Sequence, residues 1–445
     1  MNLFSDTLER DYNSLAEQSV KAEPEVLVRL VKPSLGDLLA GISVALLALP
    51  QGLAYAELAG LPVQHGLYAA ALPSLLAALF ASSPYLQTGP VALTALLTYG
   101  ALQGIAEPQT SSYVELAALL AFLVGVIRLF LGCIKMGKIA KLLTDPVILG
   151  FTSGAAILIV FSQLPKSLGV TPANTGVVSS GWEALTSVNQ WNSSAIIFSI
   201  GTIFVIFGGR VLHRLFPGVL LAVMAGILIS NLSGYSGPIV GELDSGFISL
   251  KFSFKWSLLP DLILPALVIA IVGFAEPAAI ARTFEKETKT KWNPNKELVS
   301  QGVANIAAAF SNAFPVGGSF GRSALNKLAG ASSQWAGAIT GAFVLAALPF
   351  IYLLEDLPTA ILGATVIGAV IKLIKVQEIW TTLQNSKPDA FVAIGTLTAT
   401  ILTSPRIERG ILIGLGLALF EFLYRKYAFQ IPAGKDCRNE SSRPT

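Results

Sequence analysis

Two charged residues stand inside apolar stretches of the sequence. Glu276 lies in the run Val-Gly-Phe-Ala-Glu-Pro (272–277), and Arg322 follows the run Val-Gly-Gly-Ser-Phe-Gly (316–321). A charged side chain in the centre of a membrane costs at least about 2.5–3.5 kcal/mol, so each indicates an ion pathway, a counter-charge or an ion pair. Arg322 would add positive potential for an anion. The alternative is an arginine that pairs with a carboxylate for packing.

Glu276 offers a way to couple an anion to a second ion. An ionised carboxylate repels an anion, and a protonated one does not, so proton uptake at Glu276 would favour anion entry. Two alternatives stay open: a structural hydrogen bond to the backbone interrupted at Pro277, and coordination of sodium, because hard cations favour oxygen ligands.

Two short apolar segments begin at helix-breaking glycine or proline residues, a pattern that is typical of transporter binding sites. Segment 89–102 opens with Gly89-Pro90, and segment 321–333 follows the glycine-rich run before Arg322. If both are short helices that start inside the membrane, each presents unpaired N–H groups and about half a positive charge. Two such starts facing each other would bind an anion. The alternative is a pair of ordinary Gly/Pro kinks.

Other polar residues lie in apolar stretches near these segments. Gln51 and Tyr55 are four positions apart and share one helix face, from which both can donate hydrogen bonds. Arg128 lies close to the end of an apolar run, where its long side chain can extend to the membrane surface. We expect no functional role for Arg128.

Composition places these residues in a membrane protein. Of 445 residues only 13% are charged, 53% are hydrophobic, and the mean hydropathy is +0.66. A charged content near half of the usual ~25% excludes a soluble enzyme, a disordered regulator or a nucleic-acid binder. Two cysteines and two histidines do not suffice for a metal cluster, and no phosphate loop or catalytic triad is present, so we expect neither an enzyme nor a cofactor.

Fourteen apolar stretches predict fourteen membrane spans in an all-α fold. The predicted spans are 36–58, 64–81, 89–102, 113–133, 143–164, 193–210, 216–232, 259–282, 296–312, 321–333, 335–353, 357–374, 388–404 and 408–426. An even number places both termini on one side. Basic residues concentrate at 135–141, 210–214, 282–296, 372–375 and 425–426, on the side of the polar N-terminal arm, which predicts that both termini are cytoplasmic.

A faint internal repeat indicates two inverted halves. Residues 49–56 align with 276–283, and residues 89–94 align with 321–326, at offsets of 227 and 232. Seven predicted spans separate the partners, and an odd number inverts one half relative to the other.

Three motifs resemble the sulfate permease (SulP) anion-transporter family over about 35–430. They are Pro-Gln-Gly-Leu-Ala-Tyr-Ala-Glu-Leu-Ala-Gly-Leu-Pro (50–62), Gln-Thr-Gly-Pro-Val-Ala-Leu (87–93) and Phe-Pro-Val-Gly-Gly-Ser-Phe-Gly-Arg-Ser-Ala-Leu-Asn (314–326). The resemblance implies a seven-plus-seven inverted repeat. Its core domain would comprise 35–133 and 259–353, and its gate domain 134–258 and 354–426. An arm, 1–34, and a tail, 427–445, would complete the chain.

The resemblance also implies where an anion binds. The anion would lie between two half-helices at the membrane midplane, with contributions from the first and eighth spans. The candidate substrate-binding residues are Gln51, Tyr55, Gly89, Val91, Ala92, Ser319, Phe320, Gly321 and Arg322. Glu276 is the candidate coupling-ion residue. Gly321 stands where several family members carry serine, so contact there would use the backbone alone.

The resemblance implies an anion transporter, which we expect in the inner (plasma) membrane. Proton-coupled sulfate or oxyanion uptake by an elevator movement of the core is the first expectation, in a homodimer. Sodium-coupled bicarbonate transport is the second, and a passive anion channel or a nucleobase transporter of the same architecture are further alternatives. Family members often carry a STAS domain after the last span. About 19 residues follow position 426, so we expect the membrane domain alone, as a truncated chain or a natural short form.

Overall fold

A computed structural model of the chain describes residues 32–141, 144–174, 176–213, 215–243 and 246–428. Most of the predicted N-terminal arm, Arg214 and nearly all of the predicted tail lie outside these ranges. Within them, seven helices have the length and apolar composition needed to cross a membrane. The chain is therefore a helical membrane protein, with one short pair of strands among the described residues.

The first half of the chain contains nine α-helices and one strand in the described ranges. They are α1 (Leu35–Leu58), α2 (Gln64–Ala70), α3 (Leu72–Phe80), β1 (Thr88–Gly89), α4 (Ala92–Leu102), α5 (Ser111–Cys133), α6 (Asp145–Leu168), α7 (Val177–Thr186), α8 (Ser193–Leu212) and α9 (Gly218–Ser233). Single 3₁₀ turns occur at Gly137–Lys141 and Val188–Gln190.

The second half contains eight α-helices and one strand in the described ranges. They are α10 (Leu259–Thr288), α11 (Pro294–Phe310), β2 (Gly317–Gly318), α12 (Phe320–Leu328), α13 (Trp335–Ala347), α14 (Thr359–Val370), α15 (Val376–Asn385), α16 (Lys387–Leu402) and α17 (Glu408–Ala428). The 3₁₀ turns here are Trp256–Leu258, Leu348–Leu354 and Ile371–Leu373.

Helix ends form where the sequence supplies capping groups. The Ser34 hydroxyl accepts a hydrogen bond from the Asp37 N–H, and the Asp37 carboxylate accepts one from the Ser34 N–H, so that α1 begins with a capping box. Asn293 caps α11, where Pro294 occupies the first turn and needs no N–H partner. These local signals set the boundaries of the long helices that carry the site.

Small residues let α5 and α11 pack at backbone distance. A Cβ added at Gly302 would lie 2.7 Å from the Leu129 nitrogen, and one added at Gly125 would lie 2.8 Å from the Ile306 nitrogen. Glycine at such contacts is typical of helix packing in membranes. This contact holds the helix that carries Arg128 against the one that leads into β2.

Each of the fourteen predicted spans contains helix, with two differences in detail. The predicted span 64–81 is two helices that meet at Ala71, and the predicted span 321–333 is helical only over Phe320–Leu328. The number of membrane crossings, the inverted repeat and the core and gate boundaries stay predictions.

Candidate anion-binding site

The centre of the candidate site is a two-residue antiparallel ladder. Thr88 pairs with Gly318, and Gly89 pairs with Gly317. The Ser319 N–H extends the ladder by donating to the Gln87 carbonyl at 3.0 Å. Because only two residues separate β1 from α4 and one separates β2 from α12, the two helices begin beside each other, as predicted. Each follows extended backbone, so the alternative of simple kinks is wrong.

Glycine at position 89 is required by its backbone and by its neighbours. Its φ is +155°, which side-chain-bearing residues rarely adopt. A Cβ here would lie 3.1 Å from the Ser74 hydroxyl oxygen and 3.2 Å from Nη2 of Arg322. The Gly89-Pro90 pair thus lets the ladder pass directly beside a guanidinium group.

The start of α12 is open and presents backbone N–H groups. Ser319 caps the helix, and its hydroxyl accepts from the Arg322 N–H at 3.4 Å. Phe320 is 51% exposed, Gly321 is exposed, and a Cβ at Gly321 would meet no atom within 4 Å. The first N–H groups of a helix have no partner within it. An approaching anion can therefore reach backbone donors at this end.

The start of α4 is closed and apolar. Val91 precedes the helix in extended conformation and gives no side-chain cap, and Val91 and Ala92 are both buried. The candidate residues of this half therefore form a wall that excludes water, and only their backbone groups are polar.

Arg322 joins the two halves. Its side chain is 2% exposed, and its Nη1 donates to the Pro90 carbonyl at 2.8 Å. Its Nη2 is buried with no hydrogen-bond partner in the described part of the chain, where no carboxylate forms an ion pair with it either. A packing ion pair at contact distance is therefore absent among the described residues, although the charge of Glu276 still acts on Arg322. The free N–H groups are donors available to a ligand.

Glu276 and Tyr55 lie near Arg322. Glu276 is half-buried in α10, which continues through Pro277, and its carboxylate approaches the Phe320 N–H at the start of α12. The Tyr55 side chain is buried, and the charges of Glu276 and Arg322 both act on its hydroxyl. The structure thus brings together three candidates from three separate helices.

Gln51 lies one turn before Tyr55 on α1. Its side chain is almost fully buried, and Oε1 has no hydrogen-bond partner among the described residues. A buried amide with a free oxygen is costly unless water or a ligand binds to it. The sequence predicted that Gln51 and Tyr55 share one face of α1. No described residue binds the free Gln51 oxygen.

Arg128 differs from the expectation that it extends to the membrane surface. It is fully buried and donates to three backbone carbonyls, of Ala270, Val316 and Ile269. Tertiary structure decides this placement, because no feature near position 128 in the sequence distinguishes a buried arginine from one that reaches the surface.

The chain is similar to one protein family over most of its length and to named sulfate transporters. A model described as the sulfate permease family matches residues 35–396. Sulfate transporter 4.1, chloroplastic, of Arabidopsis thaliana is 32% identical over 398 residues, which cover 86% of this chain and 57% of that protein. Probable sulfate transporter Rv1739c of Mycobacterium tuberculosis is 33% identical over 397 residues, which cover 88% and 70%. The chain thus spans little more than half the length of the first of these relatives.

Solved structures of membrane transporters have a similar fold. The murine Slc26a9 anion transporter in the inward-facing state superposes with a TM-score of 0.81 at 22% identity, covering 93% of this chain and 75% of that one. The transmembrane domain of the cyanobacterial bicarbonate transporter BicA gives 0.73 at 24% identity, covering 86% and 97%. At these identities the likeness concerns the fold alone.

Proposed function

The chain belongs to the sulfate permease family, and on that premise we propose that it is a secondary active transporter of an inorganic anion. The anion binds between the starts of α4 and α12. The observation that carries this proposal is the buried Nη2 of Arg322, which lacks a partner in the described residues and lies beside two adjacent helix starts.

Electrostatics favours an anion over a neutral substrate at this place. Two helix N-termini contribute partial positive charge, and Arg322 contributes a full charge without a paired carboxylate in the described ranges. The open start of α12 supplies access, and the buried start of α4 supplies a dry wall. A nucleobase site would need donors and acceptors arranged around a neutral ring, and an unpaired guanidinium is a poor match for it.

Glu276 is the proposed coupling group. Its carboxylate approaches the Phe320 N–H, the same kind of donor that an anion would use, so an ionised Glu276 competes with the anion. Protonation removes this competition, which links anion entry to proton entry. Sulfate or a similar oxyanion with a proton is therefore the proposed cargo. In the second candidate, sodium-coupled bicarbonate transport, the Glu276 carboxylate binds sodium.

Transport requires the site to face each side of the membrane in turn. We assign this to an elevator movement of the core, 35–133 and 259–353, against the gate, 134–258 and 354–426, in a homodimer of the inner membrane with cytoplasmic termini. An ion pair between Glu57 of α1 and Lys166 of α6, at 2.7 Å, joins the proposed core to the proposed gate. Such a pair must break or move when the two domains shift.

The test is uptake of labelled sulfate into proteoliposomes that contain the purified chain. We expect saturable uptake driven by an inward proton gradient and reduced by competing oxyanions. Glu276→Gln mimics the protonated carboxylate and should leave exchange of sulfate intact while abolishing its dependence on the proton gradient. Proton-driven uptake retained in Glu276→Gln would remove the coupling role.

The same assay separates the alternatives. Bicarbonate uptake that requires sodium would favour the second candidate. Single-channel currents without saturable coupled flux would favour a passive channel, and xanthine or uracil binding without competition from sulfate would favour a nucleobase transporter.

A further inference from the structure

Arg128 is a buried cation outside the predicted site. It lies on α5, is fully buried, and binds three carbonyl oxygens: Nε to Ala270 at 3.1 Å, Nη1 to Val316 at 2.9 Å, and Nη2 to Ile269 at 3.0 Å. Two of these carbonyls belong to α10, and the third belongs to the residue before β2. One guanidinium group therefore fixes the ladder against the helix that carries Glu276.

The guanidinium lies directly behind the site. A Cβ added at Gly273 would be 2.5 Å from Nη2 of Arg128 and 3.4 Å from the Thr94 methyl carbon. Gly273 is one turn before Glu276 on α10, and Thr94 lies in the first turn of α4. Glycine at position 273 thus leaves the space through which Arg128 reaches this layer of the protein.

No negative group compensates Arg128 within residues that the structure describes. Its hydrogen bonds go to neutral carbonyls, and no carboxylate pairs with it. A neutral amide could satisfy some of these carbonyls at a lower desolvation cost, since a buried charge is expensive when unpaired. We therefore expect the positive charge of Arg128 to have a function beyond these hydrogen bonds.

We propose that Arg128 is a positioning residue that also supplies a second positive charge behind the anion site, and that this charge favours divalent over monovalent anions. The inference rests on the proposed function. Arg128 and Arg322 together carry two positive charges against the one negative charge of ionised Glu276. With Glu276 neutral, the three groups carry a net charge of two, which matches sulfate and exceeds what a monoanion neutralises.

The size of the effect follows from Coulomb's law. One unit charge at about 12 Å, with an effective dielectric constant of about 20, changes the binding constant of a monoanion by about tenfold and that of a dianion by about a hundredfold. Loss of the charge alone therefore changes the ratio of the two affinities. Loss of structure alone weakens both anions alike.

The test measures binding of sulfate and of nitrate to the purified full chain, with thermal unfolding recorded for each variant. We expect folded Arg128→Gln to lose about a hundredfold in sulfate affinity and about tenfold in nitrate affinity. Arg128→Lys keeps the charge with fewer hydrogen bonds and should retain the wild-type ratio. Arg425→Gln, which removes an exposed cation that pairs with Asp389 on the last two helices, is the matched control and should change neither affinity.

Four results would overturn the proposal. They are an unchanged ratio in folded Arg128→Gln, a ratio reduced tenfold in folded Arg128→Lys, an equal change in the control, and failure of both Arg128 variants to fold, which would assign Arg128 to stability alone. The proposed function fails separately, when the wild-type chain binds neither anion. If Arg128→Gln alone fails to fold, the ratio in Arg128→Lys decides.

Discussion

The starts of α4 and α12 share a ladder but differ in chemistry. Both helices begin beside the β1–β2 pair, which gives them the same geometry. The start of α4 is buried, apolar and uncapped by any side chain, whereas the start of α12 has a serine cap, an exposed Phe320 and Arg322. The ladder thus brings two positive helix ends together, and one of them supplies all the side-chain charge and the access. We infer that α12 selects the ligand and α4 shapes its cavity.

Removal of Arg322 should have the largest effect. Arg322→Gln deletes the free donors and the charge, and it breaks the bond to Pro90 that joins the two halves. We expect anion affinity to fall by about a hundredfold or more, since a hydrogen bond to a charged group contributes about 1.5–3 kcal/mol and the Coulomb attraction adds to it. Equilibrium binding of labelled sulfate measures this.

The control for Arg322 lies on the same helix. Lys327→Gln removes a cation that forms an ion pair with Glu287 at the other end of α12, where its side chain is partly exposed. The sulfate affinity of Lys327→Gln should stay within twofold of that of the wild type. An equal loss in both variants would mean that general positive potential, rather than the contacts of Arg322, holds the anion.

An alanine at position 89 should have the next largest effect. Gly89→Ala adds a methyl group in a backbone region that costs about 1–3 kcal/mol for other residues, 3.2 Å from Nη2 of Arg322. We expect a lower unfolding temperature and weaker sulfate binding. Gly321→Ala at the open start of α12 meets no atom within 4 Å and should leave the unfolding temperature unchanged. Equal destabilisation by the two would contradict the contrast between a closed and an open helix start.

Sequence reasoning located these two helix starts because glycine and proline act locally. Gly89-Pro90 and the glycine pair before Ser319 interrupt apolar stretches whatever surrounds them. The first residue of each helix was predicted less exactly. α4 begins at Ala92 and α12 at Phe320, whereas the predicted internal repeat aligned Gly89 with Gly321. The ladder gives no periodic signal, because two residues on each strand are too few for one.

Other features depend on contacts between distant residues. The break at Ala71 comes two residues before Pro73, which occupies the first turn of α3, but the apolar run on both sides predicted one continuous span. The carbonyl bonds of Arg128 join residues more than 140 positions apart, and only the packing of α5 against α10 reveals them. Membrane composition predicts which segments are helical, and it leaves open which polar groups meet.

A smaller effect is expected at the end of α12 that leads into α13. The buried Asp37 carboxylate accepts hydrogen bonds from the N–H groups of Ser332 and Ser333, at 2.7 and 2.9 Å, and thereby ties this connection to the start of α1. Asp37→Asn replaces one acceptor oxygen by a donor and should lower stability by about 1–3 kcal/mol. Chemical or thermal unfolding in detergent measures it.

Sulfate affinity in folded Asp37→Asn shows whether this tie positions the open helix. A stability loss with unchanged affinity means that the ladder alone sets the start of α12. A parallel loss of affinity means that both ends of α12 must be held in place. For α4 we expect tight packing to suffice, because this helix contacts its neighbours at backbone distance. A Cβ at Gly100 of α4 would lie 2.2 Å from the Pro405 carbonyl oxygen.

The smallest effect is expected at the ion pair between α1 and α6. Glu57 and Lys166 are each about one-quarter exposed or less, so their interaction is worth about 0.2–1 kcal/mol, or a population shift of up to about fivefold. Lys166→Met should favour the alternative arrangement of core and gate and change the transport rate by that factor, with sulfate affinity at the two helix starts nearly unchanged. The double exchange Glu57→Lys with Lys166→Glu should restore the rate, because it rebuilds the pair with opposite polarity. If the double exchange transports more slowly than Glu57→Lys alone and Lys166→Glu alone, the pair does not bridge moving domains. In that case α6 would belong to the same rigid body as α4 and α12.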